Sequence, residues 1–270
     1  MAGIFEYFSM KIVHIIKNSI KTILRRWGLL ATVTSFYRQM QSYYPEAIRR
    51  RKLMMNFYKQ FIKENDLCFD VGGNLGEYTR VFIGLGAKVI CVEPQTECQK
   101  HLRRWLGKNS NVTIVEAALG ASAGTSEIAI CDTATTISSM SEDWITKGRF
   151  AKEYTWSHKQ KVKVTTLDEL ILKFGVPAFC KIDVEGFERS VLKGLRQPIP
   201  VVSFEFVTEF LEDTKKCIGH LVAQGPAEFN YSIGAPTHLI LPKWVTHKQL
   251  VEQLDSLPDN TQGDIYARII

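Results

Sequence analysis

A glycine-rich turn between an apolar run and an amphipathic segment constrains the fold of this chain more than any other feature of its sequence. The turn, Asp70-Val71-Gly72-Gly73-Asn74-Leu75-Gly76, closes an apolar run that begins at Leu67. Glycines in a strand-to-helix turn let the backbone approach a nucleotide-like ligand. Glu93 ends the next apolar run roughly 20 residues later, at the offset of a carboxylate that hydrogen-bonds ribose hydroxyls. Turn and carboxylate together predict a ligand site on a parallel α/β sheet.

Short apolar runs alternate with amphipathic segments from residue 64 onward, which indicates βαβ units in a doubly wound sheet. Strands are predicted at Leu67–Val71, Lys88–Val92, Val112–Val115, Phe179–Ile182, Val201–Phe206, Phe229–Ile233, His238–Leu241 and near Asp264–Ala267. Helices are predicted at about Gly76–Leu85, Thr96–Leu106, Leu167–Phe174, Glu185–Leu192, Leu211–Ala223 and Thr246–Leu254. The sequence therefore predicts a helical N-terminal region over residues 1–63 and an α/β domain over residues 64–270.

Composition excludes a disordered or fibrous protein, because 45% of residues are hydrophobic and 23% are charged. The net charge of +6 is concentrated near the N-terminus, where residues 4–24 form a basic amphipathic helical pattern. We expect this helix to pack on its own domain or on a second subunit, with an anionic membrane surface as the alternative. No stretch is apolar enough to span a membrane, and the six cysteines contain no Cys-x-x-Cys pair. We therefore expect buried, reduced thiols in a cytoplasmic protein, either free or peripheral at the inner membrane surface.

The spacing within the turn bears on which ligand it holds. It lacks the Gly-x-Gly-x-x-Gly spacing that cradles a dinucleotide pyrophosphate. S-adenosylmethionine has no phosphate, so its turn accommodates only the methionine part, and Asp70 can hold the positively charged amino end. The segment Phe69–Tyr78 resembles the first motif of class I methyltransferases in the version found in the FkbM family. Thr166–Leu170, Lys181–Glu188 and Val191–Gly194 resemble the second signature of that family.

The resemblance extends from about Phe57 to Ala267. It implies a seven-stranded, mostly parallel, Rossmann-like class I methyltransferase sheet, S-adenosylmethionine as cofactor, and O-methylation of a sugar, glycolipid, polysaccharide or polyketide-type hydroxyl. The cofactor residues that it implies are Asp70, Gly72, Gly73, Asn74, Gly76, Tyr78 and Asp183 around the methionine end, Glu93 at the ribose, and Glu116 with Ala117 beside the adenine. For Glu116 an ordinary solvated position is an equal alternative.

Three acidic residues stand where predicted strands end, and ligands of open α/β sheets bind outside the carboxyl ends of the strands. Because a hydroxyl acceptor must lose its proton, Asp183 is the first candidate base or substrate-orienting group, followed by Glu185 and Glu205. The alternative for Asp183 and Glu185 is capping of the helix that follows them.

Other candidate bases and a metal have weaker support. His158 and His238 are alternative bases, although single histidines are more often structural. No histidine or cysteine spacing indicates a metal centre, so no required metal is predicted, while Asp183 and Glu185 with one further oxygen donor would suit Mg²⁺. The segment Asp132–Gln160 is predicted to be a structureless lid over the acceptor, because it mixes aromatic with polar residues.

Two further functions stay open. A NAD-dependent oxidoreductase would share the sheet and the ribose carboxylate, but its Tyr-x-x-x-Lys spacing occurs only at Tyr7 and Lys11, ahead of the first strand. A module that binds the cofactor without turnover is the second alternative. Nucleic-acid acceptors are disfavoured, because Asp183-Val184-Glu185-Gly186 stands where an Asn/Asp-Pro-Pro-Tyr-like motif would be expected.

Overall fold

The computed structural model describes residues 45–270, so the amphipathic helix predicted over residues 4–24 lies outside the described part. Two units are separated by their internal contacts, Met1–Arg50 and Arg51–Ile270. The sheet belongs to the second unit, which also includes residues 51–63. In that stretch Met54, Phe57, Tyr58 and Ile62 are buried in the same apolar cluster as sheet and helix residues.

Ten strands occur in the described part of the chain. They are β1 (Leu67–Val71), β2 (Lys88–Val92), β3 (Val112–Val115), β4 (Ala118–Leu119), β5 (Gly124–Ile130), β6 (His158–Thr165), β7 (Phe179–Ile182), β8 (Val201–Val207), β9 (Ala227–Ile233) and β10 (Gln262–Ile269). Seven of them form the central sheet in the order β3-β2-β1-β7-β8-β10-β9. Strands β3, β2, β1, β7 and β8 pair in parallel, and β10 is antiparallel to β8 and β9. The predicted seven-stranded, mostly parallel sheet is therefore confirmed.

Helices flank this sheet and connect its strands. They are α1 (Pro45–Tyr58), α2 (Glu77–Gly84), α3 (Thr96–Leu106), α4 (Glu142–Lys147), α5 (Leu167–Phe174), α6 (Glu188–Lys193), α7 (Leu211–Val222) and α8 (His247–Asp255), with short 3₁₀ turns at Thr135–Ile137 and Thr208–Phe210. Strand β7 is buried at every residue, as expected of a central parallel strand that is covered on both faces. None of the described helices has both the length and the apolar character to cross a bilayer. All six cysteines are buried and free of disulfides, as predicted.

The prediction of a strand at His238–Leu241 is wrong. This segment is an irregular loop, and the side chain of Asn230 holds it in place of a strand ladder. The Asn230 Nδ2 donates to the Leu241 carbonyl at 2.9 Å, and the Leu241 N–H donates to Asn230 Oδ1 at 3.0 Å. A side-chain amide therefore satisfies the backbone groups that a neighbouring strand would have paired.

The prediction of a structureless segment over residues 132–160 is also wrong. A 3₁₀ turn and α4 lie inside it, and β6 begins at its end. Strand β6 forms the centre of a second, three-stranded sheet in the order β4-β6-β5, which the sequence did not reveal. Helix α4 begins after Ser141, whose hydroxyl accepts the N–H of Trp144, so a local N-cap stabilises it. We call residues 132–157 the lid.

Candidate active site

The glycine turn packs tightly between the ends of β7 and β2. Gly72 has a φ of 83°, and a Cβ added there would lie 1.8 Å from the carbonyl oxygen of Asp183. A Cβ on Gly73 would lie 2.3 Å from Cys91 Sγ. Contacts within the protein therefore already require both glycines, whereas the sequence argument had explained them by the approach of a ligand. The same packing places the turn directly against Asp183.

Asp70 is the last residue but one of β1, next to the glycines of this turn, and it is only 1% exposed. Its Oδ2 accepts a hydrogen bond from the Thr79 hydroxyl, while its Oδ1 is buried without a partner. Burial raises the pKa of Asp70 to about 6. A buried carboxylate oxygen without a donor is suited to a ligand that brings one, such as an ammonium group.

Glu93 joins the glycine turn to the end of β2. Its Oε2 accepts the Asn74 N–H and its Oε1 accepts the Gln95 N–H, both at 2.7 Å. Glu93 is 1% exposed, and burial raises its pKa to about 7. Each carboxylate oxygen keeps a second lone pair, so ribose hydroxyls can still bind. The role of Glu93 at the ribose stays a prediction.

The remaining residues assigned to the cofactor lie in other surroundings. The Tyr78 ring packs edge-on against Tyr58, and Lys181 Nζ lies 5.1 Å from its centroid. Glu116 is well exposed and forms an ion pair with Arg103, and Ala117 is buried. The cofactor roles of Tyr78, Glu116 and Ala117 stay predictions.

The three predicted acids converge at the carboxyl ends of β7 and β8. One carboxylate oxygen each from Asp183, Glu185 and Glu205 lies within 4.8 Å of the others. Asp183 and Glu185 do not cap the helix that follows, because α6 begins only at Glu188. Glu188 itself accepts the N–H groups of Val184 and Gly186, at 3.0 and 3.3 Å. The carboxylates of Asp183 and Glu185 are thus left for the site.

The turn after β7 has an unusual backbone. Glu185 and Gly186 both have positive φ values, 54° and 85°, and the left-handed region is uncommon for a glutamate. The Ser139 hydroxyl of the lid donates to the Glu185 carbonyl at 2.6 Å, which helps to hold this conformation. Burial first, and then the neighbouring carboxylates, raise the pKa values of Glu185 and Glu205 well above their ordinary value. Ionisation of either glutamate therefore disfavours ionisation of the other.

Lys181 is the residue that the sequence analysis missed. It lies in the middle of β7 and is fully buried, with its Nζ 2.6 Å from Asp264 Oδ1 on β10 and 3.3 Å from Asp183 Oδ2. Burial disfavours its charge, but Asp183 and Asp264 raise its pKa above the ordinary value. A lysine inside an otherwise apolar strand was the available signal, because lysine is almost never fully buried unless paired.

The lid contacts both halves of the site. Its Thr135 carbonyl accepts the Gln95 side-chain N–H at 3.0 Å on the cofactor side. Beside the acids a Cβ on Gly186 would lie 3.1 Å from Trp144, whose buried indole N–H has no partner. Arg149 Nε and Nη2 donate to both carboxylate oxygens of Glu209, at 2.8 and 2.6 Å. The sequence predicted a lid over the acceptor alone.

The two histidines do not join the acids. His158 is half exposed and lies 3.8 Å from Asp132, and His238 is exposed beside Thr237. The three carboxylates, in contrast, offer the oxygen ligands that Mg²⁺ and Ca²⁺ prefer. Glu205 supplies the further donor that the sequence analysis named as the condition for a Mg²⁺ site.

Comparison with known proteins agrees with this arrangement. The Methyltransferase FkbM domain matches residues 70–224, and no curated protein sequence matches the chain.

Among solved structures, the precorrin-6y C5,15-methyltransferase of Geobacter metallireducens is 12% identical, with 82% of this chain and 87% of that chain covered and a TM-score of 0.44. A precorrin-8w decarboxylase of Methanobacterium thermoautotrophicum is 14% identical, with coverages of 83% and 92% and a TM-score of 0.42. SMU.1697c of Streptococcus mutans, solved in complex with SAH, is 11% identical, with coverages of 81% and 97% and a TM-score of 0.38. By the domain that spans both its glycine turn and its acids, this chain belongs to the FkbM methyltransferase family.

Proposed function

We propose that this protein transfers a methyl group from S-adenosylmethionine to a hydroxyl group of a sugar, glycolipid, polysaccharide or polyketide-type small molecule. The observation that carries the proposal is the contact between the two motifs. The glycine turn packs on the Asp183 carbonyl, so a cofactor at the turn and an acceptor at the carboxylates would meet. Family membership supplies the reaction class.

The residues present fit the cofactor. Asp70 Oδ1 is a buried acceptor without a donor, and it suits the ammonium group of the methionine part. Glu93 keeps free lone pairs for ribose hydroxyls. The cofactor, when bound, supplies an electrophilic methyl group on a positively charged sulfur. Because the chain belongs to a methyltransferase family, a NAD-dependent oxidoreductase is no longer supported.

The work of the chain itself is positioning and proton transfer. Methyl transfer is an in-line displacement, so holding the hydroxyl in line contributes most of the rate. Asp183 accepts the hydroxyl proton. Its Oδ2 lies 3.3 Å from Lys181 Nζ, which holds the carboxylate in place. Glu185 and Glu205 accept hydrogen bonds from the acceptor. No step requires a metal.

The experiment offers labelled S-adenosylmethionine and fractionated cell extract to the full chain. Label should enter one hydroxyl-bearing fraction, and Asp183→Asn should slow transfer about 100-fold while S-adenosylhomocysteine binding persists. Full activity of Asp183→Asn would contradict the assignment of the base. Cofactor binding with no labelled fraction would favour the non-catalytic alternative, and label on an amine or carbon would replace the hydroxyl acceptor.

A further inference from the structure

The acids at the carboxyl ends of β7 and β8 carry more charge than the nearby lysine can balance. Lys181 is the buried cation of this region, and its ammonium is shared between Asp183 and Asp264. One positive charge between two carboxylates leaves a negative surplus. That surplus is already present before Glu185 and Glu205 are counted.

Glu185 and Glu205 add to this surplus when they are ionised. No salt bridge of the described residues includes either carboxylate, although both approach Asp183 within 4.8 Å. The other charged groups around them are Glu188 on α6 and Arg149 on the lid. Asp143 of α4 and the ion pair of Arg189 with Asp213 line the same pocket as Glu205. Arg149 is itself engaged by Glu209. The cluster therefore lacks a cation of its own.

A separate observation links these acids to the glycine turn. Asp70 Oδ1 is buried without a donor directly below the glycine turn, and Gly72 of that turn packs on the Asp183 carbonyl. The one unpartnered carboxylate oxygen of Asp70 and the unbalanced acids thus lie on the two sides of one contact. A cationic group placed there would be attracted by both.

We propose that Asp183, Glu185 and Glu205 select the charged, methyl-bearing form of the cofactor over its neutral product. The inference rests on the proposed function. S-adenosylmethionine and S-adenosylhomocysteine share the adenosine, the amino group and the carboxylate, and they differ in the methyl group and the charge on sulfur. A carboxylate several ångströms from that sulfur stabilises only the charged form. Product then leaves readily after each transfer.

The preference should increase with pH. Glu185 and Glu205 hold protons more strongly than exposed glutamates, because they are partly buried and lie beside Asp183 and Glu188. Raising the pH ionises more of the cluster and strengthens its attraction for the sulfonium. Titration of Glu93 and of Asp70 affects both cofactor forms, through the shared ribose and the shared amino group, so it cancels in the ratio of their dissociation constants.

The test is isothermal titration of the full chain, after treatment with a chelator, with S-adenosylmethionine, S-adenosylhomocysteine and sinefungin. Sinefungin has an ammonium group where the cofactor has its methyl sulfonium, so it separates charge from the methyl group. At about pH 8 both cationic ligands should bind about tenfold more tightly than S-adenosylhomocysteine. The ratio should fall at about pH 6.

Glu205→Gln and Glu185→Gln should each reduce the ratio severalfold while S-adenosylhomocysteine affinity stays within about twofold. Glu127→Gln, an exposed acid on β5, is the matched control and should leave the ratio unchanged. Circular dichroism checks that each variant is folded, and the wild-type ratio tests the inference without any variant.

Equal binding of the three ligands, or tighter binding of S-adenosylhomocysteine, would overturn the inference and leave the proposed function standing. If none of them binds the folded protein, the proposed function fails and the inference fails with it.

Discussion

Glu93 shows how a single buried carboxylate links the cofactor pocket to stability. The backbone N–H groups of Asn74 and Gln95 donate to it, so it fixes the glycine turn even without a ligand. Its pKa is about 7 in the folded chain, compared with an ordinary value of 4.5. The folded state therefore holds a proton that the unfolded state has released over this range, and the contribution of Glu93 to stability falls as the pH rises through it.

Glu93→Gln should flatten this dependence. Without cofactor, the wild-type free energy of unfolding should lose a few kcal/mol between about pH 5 and about pH 8 from this group, at about 1.4 kcal/mol per pKa unit. The variant should be less stable at about pH 5, because it loses a hydrogen-bond acceptor. Its free energy of unfolding should then decrease less as the pH rises. Urea unfolding across this pH range measures the slopes, and parallel wild-type and variant curves would contradict the assignment.

Gly72 tests the contact between turn and acids. Alanine at this position combines a left-handed φ with a Cβ 1.8 Å from the Asp183 carbonyl oxygen, so Gly72→Ala should cost several kcal/mol or prevent folding. Gly219→Ala is the control, because it lies inside α7 with no atom within 4 Å of the added Cβ, and it should stabilise by up to about 1 kcal/mol. Equal melting temperatures of the two variants would refute the packing argument.

At the scale of elements, the lid is held by Arg149. Its two hydrogen bonds to Glu209 are joined by a third from Nη1 to Gln262 Oε1 at 2.6 Å. Arg149→Ala should therefore increase amide hydrogen exchange across residues 135–150 and leave exchange in β1 and β7 unchanged. Arg189→Ala removes a more exposed pair with Asp213 and serves as the control. Unchanged exchange in the lid of Arg149→Ala would show that other contacts hold it.

The turn after β7 and the end of β8 bring together three carboxylates with the chemistry of a cation site, whereas the sequence predicted no required metal. We keep that prediction, because Asp183 can act as base with Lys181 beside it. Methyl transfer into the labelled fraction should be the same before and after treatment with a chelator. Loss of transfer that added Mg²⁺ restores would show instead that the three acids bind a metal during the reaction.

At the scale of the whole molecule, the central sheet could be predicted because its buried strands are apolar runs. Phe179–Ile182 has the same bounds in sequence and structure. Strands β5 and β6 were missed because they are largely polar and exposed, as in His158-Lys159-Gln160-Lys161. The segment His238–Leu241 was predicted as a strand because it is apolar. Its hydrogen bonds with the Asn230 side chain correspond to no pattern in the sequence.

The acids of the site could be predicted for a similar reason, because parallel strands end at one edge of the sheet. The pairing of Lys181 with Asp264 could not be predicted from the sequence, because 83 residues separate them. In addition, β10 lies between β8 and β9 in the sheet, out of chain order. The lid contacts with Gln95, Gly186 and Glu209 are likewise products of tertiary packing.

We propose that the site formed by Asp70, Glu93 and the three acids binds S-adenosylmethionine. The most direct measurement is the thermal shift of the full chain with S-adenosylhomocysteine, NAD and a nucleotide sugar in parallel. S-adenosylhomocysteine should raise the melting temperature in a concentration-dependent way, because it binds only the folded state, and NAD should not. Stabilisation by NAD without stabilisation by S-adenosylhomocysteine would contradict the account.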